Sequence, residues 1–297
     1  MIQADRISLV MATVGRSNEV ATCIASLAAQ TVRAFELIIV DQNTDDRLVE
    51  IVARARAQGL EINHLRFGTR SLSAARNHGL KHCRYAITGI PDDDCWYEPG
   101  VVEAVLARFA ANPRADALVG RWVEGDEDAH HGSDVLLNAC RRFRGGPTDS
   151  YCLFFRTAML RELDGFDERL GVPLWFGAAE ETDLVLRLLT AGHTMVRERR
   201  ARIHHPRKSP EDFPNARTVF TRVRGYERAT GALYLKHRVS PWVAARGLMA
   251  PILRAGLSVG RPKRLAAELA IVLGRLEGLA RWWRIESRRD SATRRAW

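Results

Sequence analysis

The first ninety residues alternate short apolar runs with segments of helical spacing, which strongly limits the folds open to the chain. The predicted strands cover residues 7–11, 35–40, 62–67 and 85–90. Between the first two, Val20, Ile24 and Leu27 recur at the spacing of a buried helix face. This alternation predicts βαβ units and a parallel sheet covered on both faces. Further strand-like segments at 117–123 and 151–156 predict antiparallel strands, so the sheet is expected to be mixed.

Three of the predicted strands lead into polar side chains. Thr13 follows the first strand, Asp41 the second, and Asp92-Asp93-Asp94 the fourth. In open α/β sheets, ligands bind beyond the carboxyl ends of the strands. The topology alone therefore predicts a ligand site at this edge of the sheet.

The run Asp92-Asp93-Asp94 is the strongest local signal for chemistry. Three consecutive carboxylates repel one another unless a cation or hydrogen bonds hold them. Mg²⁺ and Mn²⁺ prefer oxygen ligands and often bridge a protein carboxylate to substrate phosphates. A solvated acidic turn is the alternative, but the preceding strand and the following Trp96-Tyr97 favour a metal site.

Three other groups have both a structural and a functional interpretation. Glu180 and Glu181 open a predicted helix, where the dipole favours acids by about 0.3–1 kcal/mol each, and where a carboxylate can also act as general base. His204 and His205 follow a predicted strand end and suit either packing or metal binding. Arg76, near the start of a helix, is either a surface arginine or a phosphate contact.

The charge is distributed very unevenly along the chain. Residues 1–214 contain 27 Lys and Arg against 30 Asp and Glu, whereas residues 215–297 contain 18 against 5. Because the larger part is slightly acidic, a general nucleic-acid binder is not expected. Five cysteines without a CxxC pair predict neither a zinc site nor a disulfide framework. No signal peptide or membrane-spanning segment is predicted, so a cytoplasmic location is expected.

In combination and order, the motifs of residues 7–206 resemble those of the inverting family 2 glycosyltransferases, which have the GT-A fold of nucleotide-diphospho-sugar transferases. The resemblance is carried by Thr13-Val-Gly-Arg16, Ser26-Leu-Ala-Ala-Gln30, Glu36-Leu-Ile-Ile-Val-Asp41, Ser73-Ala-Ala-Arg-Asn77, Pro91-Asp-Asp-Asp-Cys-Trp-Tyr97 and Gly177-Ala-Ala-Glu-Glu-Thr-Asp-Leu184 with Arg187. It implies a mixed, mostly parallel sheet between helices. A catalytic domain over residues 1–214 and a basic helical region over 215–297 are expected.

The resemblance also implies roles for particular residues. Those expected to bind the nucleotide sugar are Thr13, Arg16, Asp41, Arg76, Asp92 and Asp93. Those expected to bind Mn²⁺ or Mg²⁺ are Asp94, Asp92 and one of His204 and His205. Glu181 occupies the position of the family's base, an aspartate in most relatives, and Glu180 stands beside it as the other candidate. Gly15 stands where relatives often carry asparagine, which implies one nucleotide contact fewer.

The function implied is metal-dependent, inverting transfer of a sugar from a nucleotide diphosphate, with a UDP-sugar expected, to an acceptor hydroxyl in surface polysaccharide or lipid-linked glycan synthesis. A glycosidase would use two carboxylates without a metal triad. A sugar nucleotidyltransferase would need a glycine-rich, lysine-containing phosphate loop, which is missing near the amino terminus. The remaining alternative is a non-catalytic binding protein whose degenerate transferase domain carries an arginine-rich arm for nucleic acid or a protein partner.

Residues 215–297 require a separate interpretation. Leucine runs and Trp242, Trp282 and Trp283 alternate with arginines, which predicts amphipathic helices on an anionic membrane surface. The protein would then be peripheral on the inner face of the cell membrane, close to a lipid-linked acceptor. The alternatives are a helical cap on the catalytic domain, with its arginines solvated, a subunit interface, and a nucleic-acid contact.

Overall fold

A computed structural model describes residues 6–124, 141–142 and 149–295, with side chains described as far as residue 288. Its strands are β1 Ile7–Thr13, β2 Phe35–Asp41, β3 Ile62–Arg66, β4 Ile87–Gly89, β5 Trp96–Tyr97, β6 Ala117–Trp122, β7 Leu153–Arg156 and β8 Met195–His204. Its α-helices are α1 Asn18–Ala28, α2 Val49–Ala57, α3 Leu72–Leu80, α4 Val101–Ala111, α5 Thr157–Glu162, α6 Glu180–Thr190, α7 Ala216–Lys236, α8 Pro241–Leu257 and α9 Pro262–Arg295.

All eight strands belong to one sheet, in the order β3-β2-β1-β4-β7-β6-β8-β5. Parallel pairing joins β3, β2, β1 and β4, and also β6 and β8. Antiparallel pairing joins β7 to β4 and β6, and β5 to β8. The prediction of a mixed, mostly parallel sheet is confirmed.

The sheet brings the predicted polar strand ends to one edge. Every residue of β1 and β2 is buried, so these strands form the centre of the core. Two successive antiparallel pairings turn β8 back into the direction of β1, so His204 lies at the same edge as Thr13 and Asp41. The segment that carries the three aspartates follows β4 at that edge.

The described residues divide into two compact units. The first contains residues 6–124, 149–168 and 184–207, and the second contains 141–142, 169–183 and 208–295. The division at residue 214 remains a prediction, and the second unit as found also takes in residues 169–183.

Close backbone contact joins the long helices of the second unit. A Cβ atom on Gly231 of α7 would lie 2.1 Å from the carbonyl oxygen of Arg275 in α9, and Gly274 and Gly278 of α9 meet α7 in the same way. Only glycine permits this approach, because any side chain would push the helices apart. The predicted helical carboxyl-terminal region is confirmed. None of the described helices is both long enough and apolar enough to cross a bilayer.

Candidate active site

Two aspartates and one histidine form a compact group at the carboxyl edge of the sheet. The candidate ligand atoms of Asp92, Asp94 and His205 all lie within 4.8 Å of one another. His205 Nε2 is 3.1 Å from Asp94 Oδ1 and 4.0 Å from Asp92 Oδ2. Two carboxylates and one imidazole fit the oxygen-rich ligand set of Mn²⁺ or Mg²⁺. Within the described ranges, this is the one group of three or more such side chains close enough to hold an ion.

Asp93 and Asp94 are tied to the segment that follows β1. Thr13 Oγ1 donates to Asp93 Oδ2 at 2.7 Å, and Arg16 forms an ion pair with Asp93. The second guanidinium nitrogen of Arg16 lies 2.8 Å from Asp94 Oδ2. The structure therefore brings Thr13 and Arg16 to the acidic run, as expected if both belong to one donor-binding site.

The protonation tendencies of the two aspartates differ. Burial raises the pKa of Asp93 to about 6, against the opposing effects of the Arg16 charge and the Thr13 hydrogen bond. Burial also acts to raise the pKa of Asp94, but the hydrogen bond and charge of His205, together with Arg16, lower it to about 2. Asp94 is therefore ionised at neutral pH, as a metal ligand must be.

Asp92 is held by a buried arginine. Arg76 Nη2 donates to Asp92 Oδ1 and to Ser150 Oγ, both at 2.8 Å, and Ser150 Oγ donates to the same Asp92 oxygen at 2.9 Å. The helix that carries Arg76 is α3, which packs so closely on β1 that a Cβ atom on Gly79 would lie 2.4 Å from Val10 Cγ1. Arg76 is only 1% exposed, so it is not the surface arginine considered above.

Aromatic packing fixes the ring of His205. The ring stacks on Tyr151 with a centroid distance of 4.4 Å, and Trp122 Nε1 donates to the His205 carbonyl at 3.1 Å. Burial lowers the pKa of His205, but the hydrogen bond to Asp94 and the charges of Asp94, Asp92 and Asp149 outweigh it and raise that pKa above its usual value.

The neighbouring histidine has a different environment. His204 Nδ1 lies 2.7 Å from Glu124 Oε1, and His204 Nε2 lies 3.1 Å from Glu98 Oε1. Its ring stacks on Trp96 at 5.1 Å. Both ring nitrogens of His204 are therefore engaged away from the three-residue group, whereas His205 belongs to it. Successive strand residues point to opposite faces, which explains the separation.

Asp41 forms a second polar centre at the end of β2. Its Oδ2 accepts from Arg66 Nη1 at 3.0 Å and lies 2.9 Å from His64 Nε2, while Oδ1 accepts from the backbone and side-chain nitrogens of Asn43. The Gly15 nitrogen donates to Asn43 Oδ1 at 2.6 Å. Gly15 has φ +76°, a conformation that glycine and asparagine tolerate better than other residues, so the same turn suits either residue.

The two candidate base residues open α6 and belong to the second unit. Glu180 is 2% exposed, whereas Glu181 is half-buried. One turn later, the fully buried Asp183 forms an ion pair with Lys236 Nζ at 2.6 Å and lies within hydrogen-bond distance of His237 Nε2, at 2.8 Å. These contacts fix the start of α6 against the end of α7.

Several site residues lie outside the predictions from sequence. These are Ser150 and Tyr151, which hold Asp92 and His205, and His64 and Arg66, which hold Asp41. The signal for Ser150 and Tyr151 was their place at the start of the predicted strand 151–156, which Ser150 directly precedes and Tyr151 opens. His64 and Arg66 alternate along β3, so they lie on one face beside Asp41.

Comparison with known proteins identifies the family. Residues 8–164, more than half of the chain, match glycosyl transferase family 2. The chain belongs to glycosyl transferase family 2. Among curated relatives, glycosyltransferase GlyA of Streptococcus pneumoniae is 26% identical over 127 residues, which are 43% of this chain and 18% of that protein. Putative glycosyltransferase EpsH of Bacillus subtilis is 23% identical over 150 residues, 50% of this chain and 42% of that protein.

The matched segments thus cover less than half of either relative. Solved structures match over more of the chain. Mannosyltransferase PcManGT from Pyrobaculum calidifontis, in complex with GDP-Man and Mn²⁺, has a TM-score of 0.62 at 15% identity, covering 92% of this chain and 87% of that one. Residues 1–349 of TarS from S. aureus, in complex with UDP-GlcNAc, have a TM-score of 0.58 at 15% identity, covering 90% of each chain. The predicted family and GT-A fold class are confirmed.

Proposed function

We propose that the protein is a metal-dependent inverting glycosyltransferase that moves a sugar from a nucleotide diphosphate to an acceptor hydroxyl. The observation that carries this proposal is the group formed by Asp92, Asp94 and His205 at the carboxyl edge of the sheet. An ion bound there would act as a Lewis acid and stabilise the negative charge of the departing diphosphate. Mn²⁺ and Mg²⁺ both suit the ligands, and the PcManGT complex contains Mn²⁺.

The surrounding residues would bind and orient the donor. Thr13 and Arg16 contact Asp93, so the nucleotide and the acidic run are expected to share one site. Arg76 orients Asp92 from the buried side through its hydrogen bond to Oδ1. Asp41 ends β2, and contacts with His64, Arg66 and Asn43 orient its carboxylate. We assign that end of the site to the base and ribose, with a uridine diphosphate sugar as the expected donor.

The acceptor hydroxyl needs a proton acceptor. We assign this role to Glu181, because it is the more exposed of the two glutamates, whereas Glu180 is 2% exposed. The acceptor oxygen bonds to the anomeric carbon while the bond from that carbon to the diphosphate oxygen breaks, and Glu181 takes the hydroxyl proton. A single displacement of this kind inverts the anomeric centre. Surface polysaccharide or lipid-linked glycan synthesis is the proposed setting.

A panel of nucleoside diphosphates tests the donor site. Thermal unfolding is followed with UDP, GDP or dTDP in the presence of Mn²⁺, Mg²⁺ or EDTA. A ligand at 100 times its Kd stabilises a protein by about 2.7 kcal/mol, which moves the midpoint by several degrees. We expect a metal-dependent shift that is largest with UDP and is lost in Asp94→Asn.

Glu162→Gln is the matched control, because it also replaces a carboxylate with an amide but lies in an exposed position outside the group. It should leave the nucleotide shift unchanged. If no nucleotide shifts the midpoint with either metal, or if Asp94→Asn responds as the wild type does, the proposed donor site is wrong.

A further inference from the structure

Large apolar side chains lie exposed on the last two helices. They are Trp242, Met249, Ile252, Leu253 and Leu257 of α8, Val259 of the following turn, and Leu269, Leu273, Leu276 and Trp283 of α9. Together they are called the apolar face. Leu257, Val259 and Trp242 are 85%, 79% and 76% exposed. Isolated exposed leucines are ordinary on proteins, but a grouped apolar surface marks an interaction site.

In α9, the exposed residues of the apolar face and the buried residues of the helix lie on different stripes. In α9, Leu269, Leu273, Leu276 and Trp283 recur at intervals of four, three and seven residues, which places them on one stripe. The buried stripe of the same helix is different and contains Ala267, Ala270, Gly274, Gly278 and Trp282. That buried stripe packs on α7, as the close approaches of Gly274 and Gly278 show. The helix therefore has one stripe for packing and another whose side chains are 37–62% exposed.

The charges around the apolar face are positive. Residues 215–297 carry 18 Lys and Arg against 5 Asp and Glu. Three of the acids are already engaged inside the second unit: Glu227 with Arg275 at 2.6 Å, Glu268 with Arg254 at 2.8 Å and Glu277 with Arg228 at 2.8 Å. Exposed arginines remain at Arg238 after α7, at Arg261 before α9, and at Arg284 within α9. The surface thus combines large apolar side chains with unneutralised positive charge.

This combination discriminates between possible partners. A second copy of the chain would bring two strongly positive surfaces together, which costs free energy through like-charge repulsion. A nucleic acid would neutralise the arginines but would leave the leucines exposed to water. An anionic bilayer accommodates both the apolar side chains and the positive charge, since its acyl region takes up apolar side chains and its headgroups attract arginines. Tryptophan is favoured at that boundary, and the apolar face has one on each helix.

We propose that the apolar face of α8 and α9 lies on an anionic lipid bilayer, with the surrounding arginines against the headgroups. The face belongs wholly to the second unit. The proposal is independent of the donor chemistry, because vesicle binding is measured without nucleotide or metal. The two proposals can therefore fail separately.

The test is co-sedimentation of the full chain with phosphatidylcholine vesicles prepared with and without phosphatidylglycerol. We expect binding to the vesicles that contain phosphatidylglycerol, weakening as salt is raised, and little binding to phosphatidylcholine alone. Replacing Leu253 and Leu257 together by glutamate should lower the partition coefficient at least about tenfold. Val49→Glu, at an exposed valine of α2, is the matched control and should bind as the wild type does.

The oligomeric state and the thermal midpoint are measured on the same samples. Because Leu253 and Leu257 are exposed, their substitution should leave the midpoint unchanged, and Trp283→Glu in α9 serves as a second variant if it does not. Equal vesicle binding by the wild type and by folded variants of the apolar face would overturn the proposal. A wild-type dimer that the variants convert to monomer, without vesicle binding in either, would assign the face to a second copy and would also overturn it.

Discussion

The two compact units differ in where they place many of their charged and large apolar side chains. In the first unit, buried strands carry the apolar residues, and the buried charges Asp41, Arg76 and Asp93 collect at one edge of the sheet. In the second unit, ion pairs such as Arg275 with Glu227 lie between helices, and Leu253, Leu257 and Trp242 remain exposed. The same residue types therefore have different roles in the two units.

The difference shows that charged side chains have different roles in the two units. Burying a charge costs free energy unless a partner compensates it, so a group of buried acids at a sheet edge indicates a binding site. In the second unit, many arginines instead stabilise the helix packing. Arg228 and Arg281 lie over the ring of Trp175 at 4.5 and 4.3 Å, and Arg169 lies over Trp282 at 4.3 Å. The two proposals therefore place the metal at the charged sheet edge of the first unit and the lipid contact on the apolar face of the second.

The largest expected effect comes from the acids that open α6. Glu181→Gln should lower the transfer rate by about 100- to 10,000-fold, the usual contribution of a general base, while the nucleotide Kd stays the same. Glu180→Gln changes the neighbouring carboxylate in the same way, but at a buried position, so its main effect is expected on thermal stability. Donor turnover, nucleotide titration and thermal unfolding separate these effects. Glu181→Gln with nearly wild-type turnover would show that another group takes the proton.

The next largest effect is expected on Mn²⁺ affinity, when the adjacent histidines are replaced. His205→Ala should weaken Mn²⁺ binding by about 100-fold, because it removes a candidate ligand beside Asp94. His204→Ala should change Mn²⁺ affinity much less, because both ring nitrogens of His204 contact glutamates outside the group. Calorimetric titration of Mn²⁺ into both variants is the measurement. Equal losses, or a larger loss in His204→Ala, would contradict the arrangement described.

A smaller effect, on the free energy of unfolding, is expected when a closely packed glycine of the second unit is replaced. Gly231→Ala should destabilise the protein by about 1–3 kcal/mol, because its Cβ would meet the Arg275 carbonyl oxygen in α9. Gly256→Ala in α8 is the matched control, since nothing lies within 4 Å of its Cβ position. It should be neutral or stabilising by up to about 1 kcal/mol. Denaturant unfolding measures both, and a stabilised Gly231→Ala would mean that α7 and α9 are not in close contact.

The sequence allowed the strands and the acidic edge to be predicted because both are local signals. The apolar runs 9–12 of β1 and 37–40 of β2 lead directly into Thr13 and Asp41. The three aspartates are adjacent, so their proximity needs no knowledge of the fold. Once the strands were known to be parallel, the meeting of Thr13, Asp41 and the acidic run at one edge followed.

The rest depends on pairing and packing between distant segments. Which of His204 and His205 faces the aspartates is set by the pairing of β8 with β5 and β6, and a slip of one residue would exchange them. Tyr151 stacks on His205 because β6 pairs with both β7 and β8 and so brings the two segments together. The grouping of residues 169–183 with the last helices arises from packing around Trp282, for which the sequence offers no local pattern.

The most direct test of the account is whether Mn²⁺ and the nucleotide bind to one shared site. Free Mn²⁺ is followed by its electron paramagnetic resonance signal as protein is added, with and without UDP, and each mixture is compared with the same mixture containing Asp94→Asn. If the site is shared, UDP should tighten Mn²⁺ binding by the wild type at least about fivefold, which is the low end of the usual coupling between two sites. The variant should show no such gain. Equal Mn²⁺ binding with and without UDP, or an equal gain in Asp94→Asn, would contradict the assignment of the acidic edge to metal-dependent sugar transfer.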